Sequence, residues 1–217
     1  MAVLKKYAYR PHSGTLDIGM VDPRTFFYIR EYLYQMEAEN KKGAFVVTWA
    51  LNLTEDKETV DNYAMPFNTN NIDLTVSSNV IYGLTSAVLA GLGNPKEWFD
   101  VDIQMIYENT TDLLAWEIER NFSGRPDIAL TYYPLVLNFY WFTARTLNLI
   151  QSYEESHNGD LPFPVLNTVK DRLLDVMQNV VTPTVVKMAT VGKQNTTVYF
   201  DEFLGNNDRD AFGRVQS

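Results

Sequence analysis

The sequence predicts an all-α fold whose helices lie in two layers. Five segments show helical periodicity, and proline or glycine residues separate most of them. Helices with almost no charge alternate along the chain with helices that have one polar face. A helix that touches protein on both sides carries few charges, so this alternation indicates an inner and an outer layer. The predicted helices span about 23–40, 73–91, 96–121, 132–153 and 163–181.

The first predicted helix follows an irregular N-terminal segment. Proline and glycine residues interrupt residues 1–20, so we expect no regular element there. Asp22 is a favourable capping residue, and Pro23 suits the first helical position. We expect this helix to continue to about Asn40, because Gly43 then favours a helix end. The apolar run AFVVTWAL that follows is compatible with either a strand or a helix.

The second and third predicted helices differ in charge. Asp73 is the only charged residue between Ile72 and Pro95, so the helix at 73–91 is expected in the inner layer. The helix at 96–121 has apolar residues at spacings of three, four or seven, which place them on one face. Its charged residues cover most of the remaining surface. We therefore expect the third helix to lie on the outside.

The fourth and fifth predicted helices repeat this contrast. Arg145 is the only charge in the helix at 132–153, whereas the helix at 163–181 is amphipathic. Pro183 begins a further short segment, and the sequence TTVYFDEFLGNND predicts a strand or a loop. The chain has 217 residues, of which 46% are hydrophobic, and this is enough for one core. We therefore expect a single domain over residues 1–217.

Composition excludes several classes of function. The net charge is −9 and no basic patch stands out, which argues against binding to nucleic acid or to anionic membrane surfaces. The absence of cysteine excludes disulfides, thiolate catalysis and cysteine-ligated zinc. The stretch 74–93 has the length of a membrane span but too many Ser, Thr and Asn residues to insert. No metal or cofactor is predicted, and the lack of cysteine and of a signal peptide slightly favours the cytoplasm.

Three stretches resemble a known superfamily. NNIDLTVSSNVIYGL resembles the inner helices of α/α-toroid proteins, the terpenoid cyclases and protein prenyltransferases, in which an Asn followed closely by a Tyr commonly begins such a helix. RPDIALTYYPLVLNFYWFTAR resembles the next inner helix, with its Tyr-Tyr-Pro start, aromatic cluster and closing Arg. YFDEFLGNNDRDAF resembles the linker into a further inner helix. The resemblance covers roughly residues 44–213.

The resemblance implies a partial two-layer α/α toroid. A complete toroid has more helix pairs than this chain has room for, which implies either a longer protein or a half-toroid completed by a partner. A second copy of the chain would cover the open apolar edges most simply. The activity does not carry over, because the sequence lacks the cysteine ligand of the zinc enzymes. In place of an Asp-rich acid motif it offers only Asp100 and Asp102, in a helix predicted to be outer.

Two polar stripes identify candidate site residues. Thr75, Asn79, Tyr82 and Ser86 share one face of the second helix, and Asn138, Trp141, Arg145 and Asn148 share one face of the fourth. If both helices are inner, these faces line a common cavity in which Arg145 holds a carboxylate or phosphate. The alternative is that these groups bond only to each other and to nearby loops. The predicted cavity residues are Asp73, Asn79, Tyr82, Tyr132, Tyr133, Asn138, Trp141 and Arg145.

Three classes of function remain open from the sequence. The first is a domain that binds a small or extended ligand, or a partner, in an aromatic-lined concave face. The second is a terpenoid-cyclase-like or carbohydrate-active enzyme, with Asp73, Tyr82, Tyr132, Tyr133 and Arg145 near the reaction centre. The third is a structural module that forms homodimers. Asp73 also fits a helix cap, and the segment 206–213 only weakly resembles a calcium loop because it lacks the required Gly and Glu.

Overall fold

The structure is a computed structural model that describes residues 1–11, 21–51, 55, 70–192 and 196–200. Regular structure in these ranges is helical apart from one two-stranded sheet and isolated bridges, which confirms the all-α prediction. The weak calcium-loop resemblance at 206–213 lies outside the described residues.

The N-terminal segment contains a short helix, α1 (Ala2–Tyr7), so the prediction that residues 1–20 are irregular is wrong for this part. Six residues are too few to show a helical period, which is why sequence reasoning missed it. The next helix begins with a 3₁₀ turn at Pro23–Thr25 and continues as α2 (Phe26–Ala38). The carboxylate of Asp22 accepts the Arg24 backbone N–H at 2.8 Å, as expected for a cap.

The apolar run at 44–51 is extended. Phe45 forms an isolated antiparallel bridge with Tyr9. The backbone N–H of Val46 donates to the Thr110 hydroxyl at 3.0 Å. One bridge and side-chain hydrogen bonds therefore hold this run in place of a sheet, and its residues Ala44, Phe45 and Val46 are buried.

Three helices follow in the middle of the chain: α3 (Leu74–Leu89), α4 (Pro95–Trp98) and α5 (Val101–Glu119). The predicted third helix is thus interrupted after one turn and restarts at Asp100. The Asp100 carboxylate caps the restart by accepting the backbone N–H groups of Asp102 and Ile103, both at 3.2 Å.

The C-terminal half contains the short α6 (Pro126–Ala129), then α7 (Val136–Ser156) and α8 (Pro164–Val176). The predicted fourth helix begins four residues late, since Tyr132 and Tyr133 lie in the loop before α7. A π-helical turn at Met177–Val181 joins α8 to α9 (Thr182–Met188). Strands β1 (Thr190–Val191) and β2 (Val198–Tyr199) pair antiparallel.

The four long helices pack against one another. α3 contacts α7 and α5, and α8 contacts α5 and α7. α2 lies beside α5.

The prediction that the third helix lies on the outside is wrong. In α5, 11 of 19 residues are buried, because α1, α2, α3 and α8 all contact it. The opposite holds for the charge-poor helix α7, where only 7 of 21 residues are buried. Low charge therefore does not mark the most covered helix in this protein, and α7 keeps an uncovered face of uncharged and aromatic residues.

Candidate functional site

Asp73 caps the N-terminus of α3 and is wholly buried. Its Oδ1 accepts the backbone N–H groups of Thr75 and Val76, each at 2.9 Å, and also the Thr75 hydroxyl. Its Oδ2 accepts the backbone N–H of Tyr132 at 3.0 Å. Burial raises the pKa of Asp73, and these hydrogen bonds to its charged form oppose the rise.

The loop before α7 is also tied to the extended segment at 44–51. The indole N–H of Trp49 donates to the Tyr132 hydroxyl at 3.1 Å, and the two rings meet edge to face. The Asn70 side chain accepts the Trp49 backbone N–H at 3.1 Å and donates to its carbonyl at 2.8 Å. Asp73 and Tyr132 therefore belong to a structural junction, and a ligand cannot reach the Asp73 carboxylate.

The small polar side chains of α3 bond mostly to their own helix. Hydroxyl groups donate to carbonyls three or four residues earlier in the pairs Ser78 to Thr75, Thr85 to Ile81 and Ser86 to Tyr82. The Asn79 amide also donates to the Thr75 carbonyl, at 2.8 Å. Such local bonds satisfy polar groups without solvent or ligand. Most of the predicted polar stripe is therefore accounted for within α3.

Arg145, near the middle of α7, is surrounded by aromatic rings. Its guanidinium carbon lies 4.2, 5.0 and 5.1 Å from the ring centroids of Tyr82, Trp141 and Phe142. One terminal nitrogen donates to the amide oxygen of Asn79. Cation–π contacts of this kind favour the charged guanidinium and fix the orientation of its plane. This cluster joins α3 to α7 on the side that other described helices leave uncovered.

Among the described residues, no carboxylate forms an ion pair with Arg145. Four other arginines do pair with carboxylates: Arg10, Arg24, Arg125 and Arg172. Helix α3 has no charged residue, and the acidic residues of α7 lie only near its C-terminus. The Nε atom of Arg145 is buried without a hydrogen-bond partner. The cation is therefore unbalanced by a local negative charge, which favours an incoming anion.

Exposed aromatic surface adjoins the Arg145 guanidinium. Trp141 is 58% exposed and Tyr133 is 48% exposed. Tyr133 meets Phe142 edge to face at a centroid distance of 5.5 Å. Partly exposed aromatic rings offer large apolar surfaces on which another flat group can stack. We call the surface formed by Tyr82, Tyr133, Trp141, Phe142 and Arg145 the Arg145 face.

The structure groups most of the predicted site residues at this face. Asn79 contacts it through its bond to Arg145, and Asn138 lies about one turn before Trp141 on the same side of α7. The predicted site residues that contact one another at this face are Asn79, Tyr82, Tyr133, Trp141 and Arg145. Asp73 and Tyr132 lie instead in the junction at the start of α3 and α7.

Phe142 is a member of the face that the predicted set lacks. Its position three residues before Arg145 places it on the neighbouring turn of the same helix, so the spacing contained the signal. Three cavities lined by described residues have volumes of about 240, 350 and 470 Å³, and Arg145 lines none of these three.

The 240 Å³ cavity borders an ion-pair network at Arg172. Arg172 donates to Asp112 at 2.8 Å and to both carboxylate oxygens of Glu119 at 2.5 and 2.9 Å. The Tyr32 hydroxyl donates to Asp112 at 2.9 Å. These contacts join α2, α5 and α8. Because these charged groups already have partners, the network stabilises the packing of α2, α5 and α8, and it leaves no unpaired charge for a ligand to bind.

Glu117 of α5 is a second unusual charged group. Its side chain is 0% exposed, and neither carboxylate oxygen has a hydrogen-bond partner. Burial raises the pKa of Glu117 to about 9, and the nearby charge of Glu31 adds to the rise. The carboxyl group is therefore protonated at neutral pH. Because a ligand cannot reach this carboxyl group, we expect it to affect the stability of the fold and not binding.

No protein-family model matches the sequence, and no curated protein and no solved structure matches it. None of the described helices combines the length and the apolar character needed to cross a lipid bilayer. In the described part of the chain, no three His, Asp or Glu side chains are grouped as metal ligands. In the described residues, the fold and the site therefore define an all-α protein in which one helix presents Arg145 among three aromatic rings.

Proposed function

We propose that the protein is a ligand-binding module whose Arg145 face takes an organic anion with a flat apolar body. The observation that supports it is the guanidinium of Arg145, which contacts three aromatic rings and has no carboxylate partner in the described chain. Arg145 anchors the carboxylate or phosphate group of the ligand. Trp141 and Tyr133 supply the surfaces on which the flat body stacks.

The arrangement suits recognition because it is preorganised. The bond to Asn79 and the contact with Tyr82 hold the guanidinium before a ligand arrives, so little side-chain entropy is lost on binding. The aromatic rings exclude water from part of the cation, which strengthens its attraction for an anion. Arginine also presents its N–H groups in a fork that matches a carboxylate or phosphate.

A partial α/α toroid remains the architecture that we propose for this module. Support comes from the contacts of α3 with α7 and of α5 with α8. In such an arrangement the Arg145 face would be part of the inner wall. The remainder of the wall would come from further chain or from a partner, and the ligand would then lie in a concave site.

The geometry favours binding over acid catalysis. The enzyme hypothesis placed Asp73 near the reaction centre, but both of its oxygens are engaged within the protein. Self-association through the Arg145 face is the other alternative, because Trp141 and Tyr133 also suit a protein interface. Ligand binding and self-association can be distinguished by experiment, because a dimer interface would not require a free organic anion.

The first prediction concerns the charge of the ligand. We expect 2-naphthoate to quench tryptophan fluorescence saturably, because its carboxylate reaches Arg145 while its rings stack near Trp141. The neutral analogue 2-naphthalenemethanol should bind at least about tenfold more weakly, which corresponds to about 1.4 kcal/mol. Arg145→Met should weaken naphthoate binding by a similar factor. Fluorescence titration and calorimetry at low salt measure these affinities.

A matched control exists at Arg120, whose guanidinium also lies over an indole ring, 5.5 Å from that of Trp116. Arg120→Met removes a comparable exposed cation and should leave naphthoate binding unchanged. Equal affinities for the acid and the alcohol, or an equal loss in both variants, would contradict the proposal. A protein that dimerises in solution and becomes monomeric in Trp141→Ala, without binding naphthoate, would favour the interface instead.

A further inference from the structure

An apolar cavity of about 350 Å³ lies on a different face of α3 from Arg145. Residues of α1, the extended segment 46–50, and Val80 and Leu84 of α3 line it. These are three separate elements, so the cavity is shaped by tertiary packing and not by one helix surface. Its opening is apolar as well, since Val3 on its rim is 56% exposed.

The few polar side-chain groups of the lining are already engaged. The hydroxyl of Thr48 accepts the backbone N–H of Asp73 at 3.0 Å. The indole N–H of Trp49 donates to the Tyr132 hydroxyl at 3.1 Å. A ligand in the cavity therefore meets mainly aliphatic and aromatic surface, and a polar ligand would lose hydrogen bonds to water without replacing them.

The side chains that line this cavity are uncharged. The charged group of the lining is the α-amino group of Met1. Lys5 of α1 pairs with Asp100, and Lys6 pairs with Glu55 and contacts Tyr7. Both lysines adjacent to the lining thus pair with carboxylates that do not line the cavity. The lining therefore offers no charged side chain to an anion such as the one we assign to Arg145, and its apolar surface favours a neutral occupant.

We propose that this cavity binds a neutral, apolar small molecule. Its size follows from the volume, because an apolar cavity of about 150 Å³ holds benzene. By the same ratio, about 14 non-hydrogen atoms fill this cavity. Molecules of two aromatic rings or a short branched hydrocarbon have this size. The site is independent of the Arg145 face, which lies elsewhere on α3 and requires an anion.

Binding in the cavity can be detected through Trp49. Its indole lines the cavity and bonds to Tyr132, whose backbone N–H in turn donates to Asp73. A molecule that enters beside Trp49 changes the environment of this hydrogen-bonded indole N–H. The indole resonance of Trp49 in an isotope-labelled sample therefore distinguishes binding here from binding beside Trp141.

The test uses biphenyl as the probe. We expect a saturable shift of the Trp49 indole resonance and no saturable shift of the Trp141 resonance. Val3→Asp places a charge at the rim and should weaken binding at least tenfold. Val80→Phe fills part of the volume and should weaken it similarly. Val186→Asp, at an exposed position of α9 outside the lining, should bind biphenyl like the wild type.

Three results would overturn the proposal. The first is the absence of a saturable Trp49 shift, and the second is equal binding by Val3→Asp and Val186→Asp. The third is a concentration-dependent dimer that Val3→Asp dissociates, since the cavity would then be part of an interface between two copies. Arg145→Met should retain biphenyl binding, so failure of the anion site and failure of this cavity site are distinguishable.

Discussion

Replacing Glu117 with Gln is expected to stabilise the protein increasingly as the pH rises. Glu117 has a pKa of about 9 in the folded state because it is buried without a hydrogen-bond partner. In the unfolded chain it titrates near its ordinary value of about 4.3. Between these values the folded state holds a proton that the unfolded state has released. The wild-type free energy of unfolding should therefore fall by roughly 1 kcal/mol per pH unit from this group.

The sign of this pH dependence follows from the number of protons bound in each state. The contribution of Glu117 is most favourable below its unfolded pKa and is lost progressively as the pH rises toward the folded pKa of about 9. Gln cannot ionise, so Glu117→Gln does not lose stability in this way as the pH rises. The difference in free energy of unfolding between variant and wild type should grow by about 2–4 kcal/mol between pH 5 and pH 8. Urea denaturation followed by circular dichroism at several pH values measures it.

Two glutamates of α2 provide controls for this effect. Glu31 lies close enough to Glu117 to raise its pKa, so in Glu31→Gln the loss of stability caused by Glu117 should end at a lower pH than in the wild type. Glu37 is exposed on the same helix and is absent from the causes of the shift, so Glu37→Gln should leave the dependence unchanged. Parallel pH profiles for wild type and Glu117→Gln would show that the buried carboxyl does not hold its proton.

Replacing Asp73 with Ala should destabilise the protein by about 3 kcal/mol. Loss of the helix cap alone costs about 1 kcal/mol. The variant also leaves the backbone N–H of Tyr132 without its acceptor, and an unsatisfied buried donor costs about 1–3 kcal/mol. The raised pKa of Asp73 shows that its charged form bears a burial cost, which reduces the net loss somewhat. Denaturant midpoints measure the change.

Asp100 offers a matched comparison for Asp73. It caps α5 through two backbone N–H groups, and its contact with a distant element is a partly exposed ion pair with Lys5 of α1, a kind of pair that contributes little to stability. Asp100→Ala should therefore cost only about 1 kcal/mol. Asp73→Asn keeps a capping oxygen and loses mainly the bond to Tyr132, so it should fall between the two. If the two Ala variants cost the same, the tie between α3 and the loop before α7 contributes nothing.

These two carboxyl groups show why charge alone did not locate a site. Asp73 and Glu117 are both buried, yet Asp73 has four hydrogen bonds to its oxygens and Glu117 has none. Neither is accessible to a ligand. Arg145 differs from the paired arginines because it lies among aromatic rings and has no carboxylate partner among the described residues.

Local features of the sequence were sufficient to predict the long helices and two of their N-caps. Asp22 and Asp73 act within one turn of the chain, so residue type and spacing determine their roles. The predicted helix end at Gly43 is wrong, because α2 ends at Ala38 and Asn40 adopts the left-handed conformation. The shared face of Trp141 and Arg145 also followed from helical spacing. The irregular assignment of residues 2–7 failed because α1 is too short to show a period.

Only the tertiary structure decided which of these surfaces are covered. Burial depends on contacts between residues far apart in the chain, such as Arg145 with Tyr82, or α5 with the four helices around it. A hydrophobic period gives the direction of a helix face but not whether another helix occupies it. For that reason the charge-poor α7 was expected inside and has an open face, while the amphipathic α5 was expected outside and holds the buried Glu117.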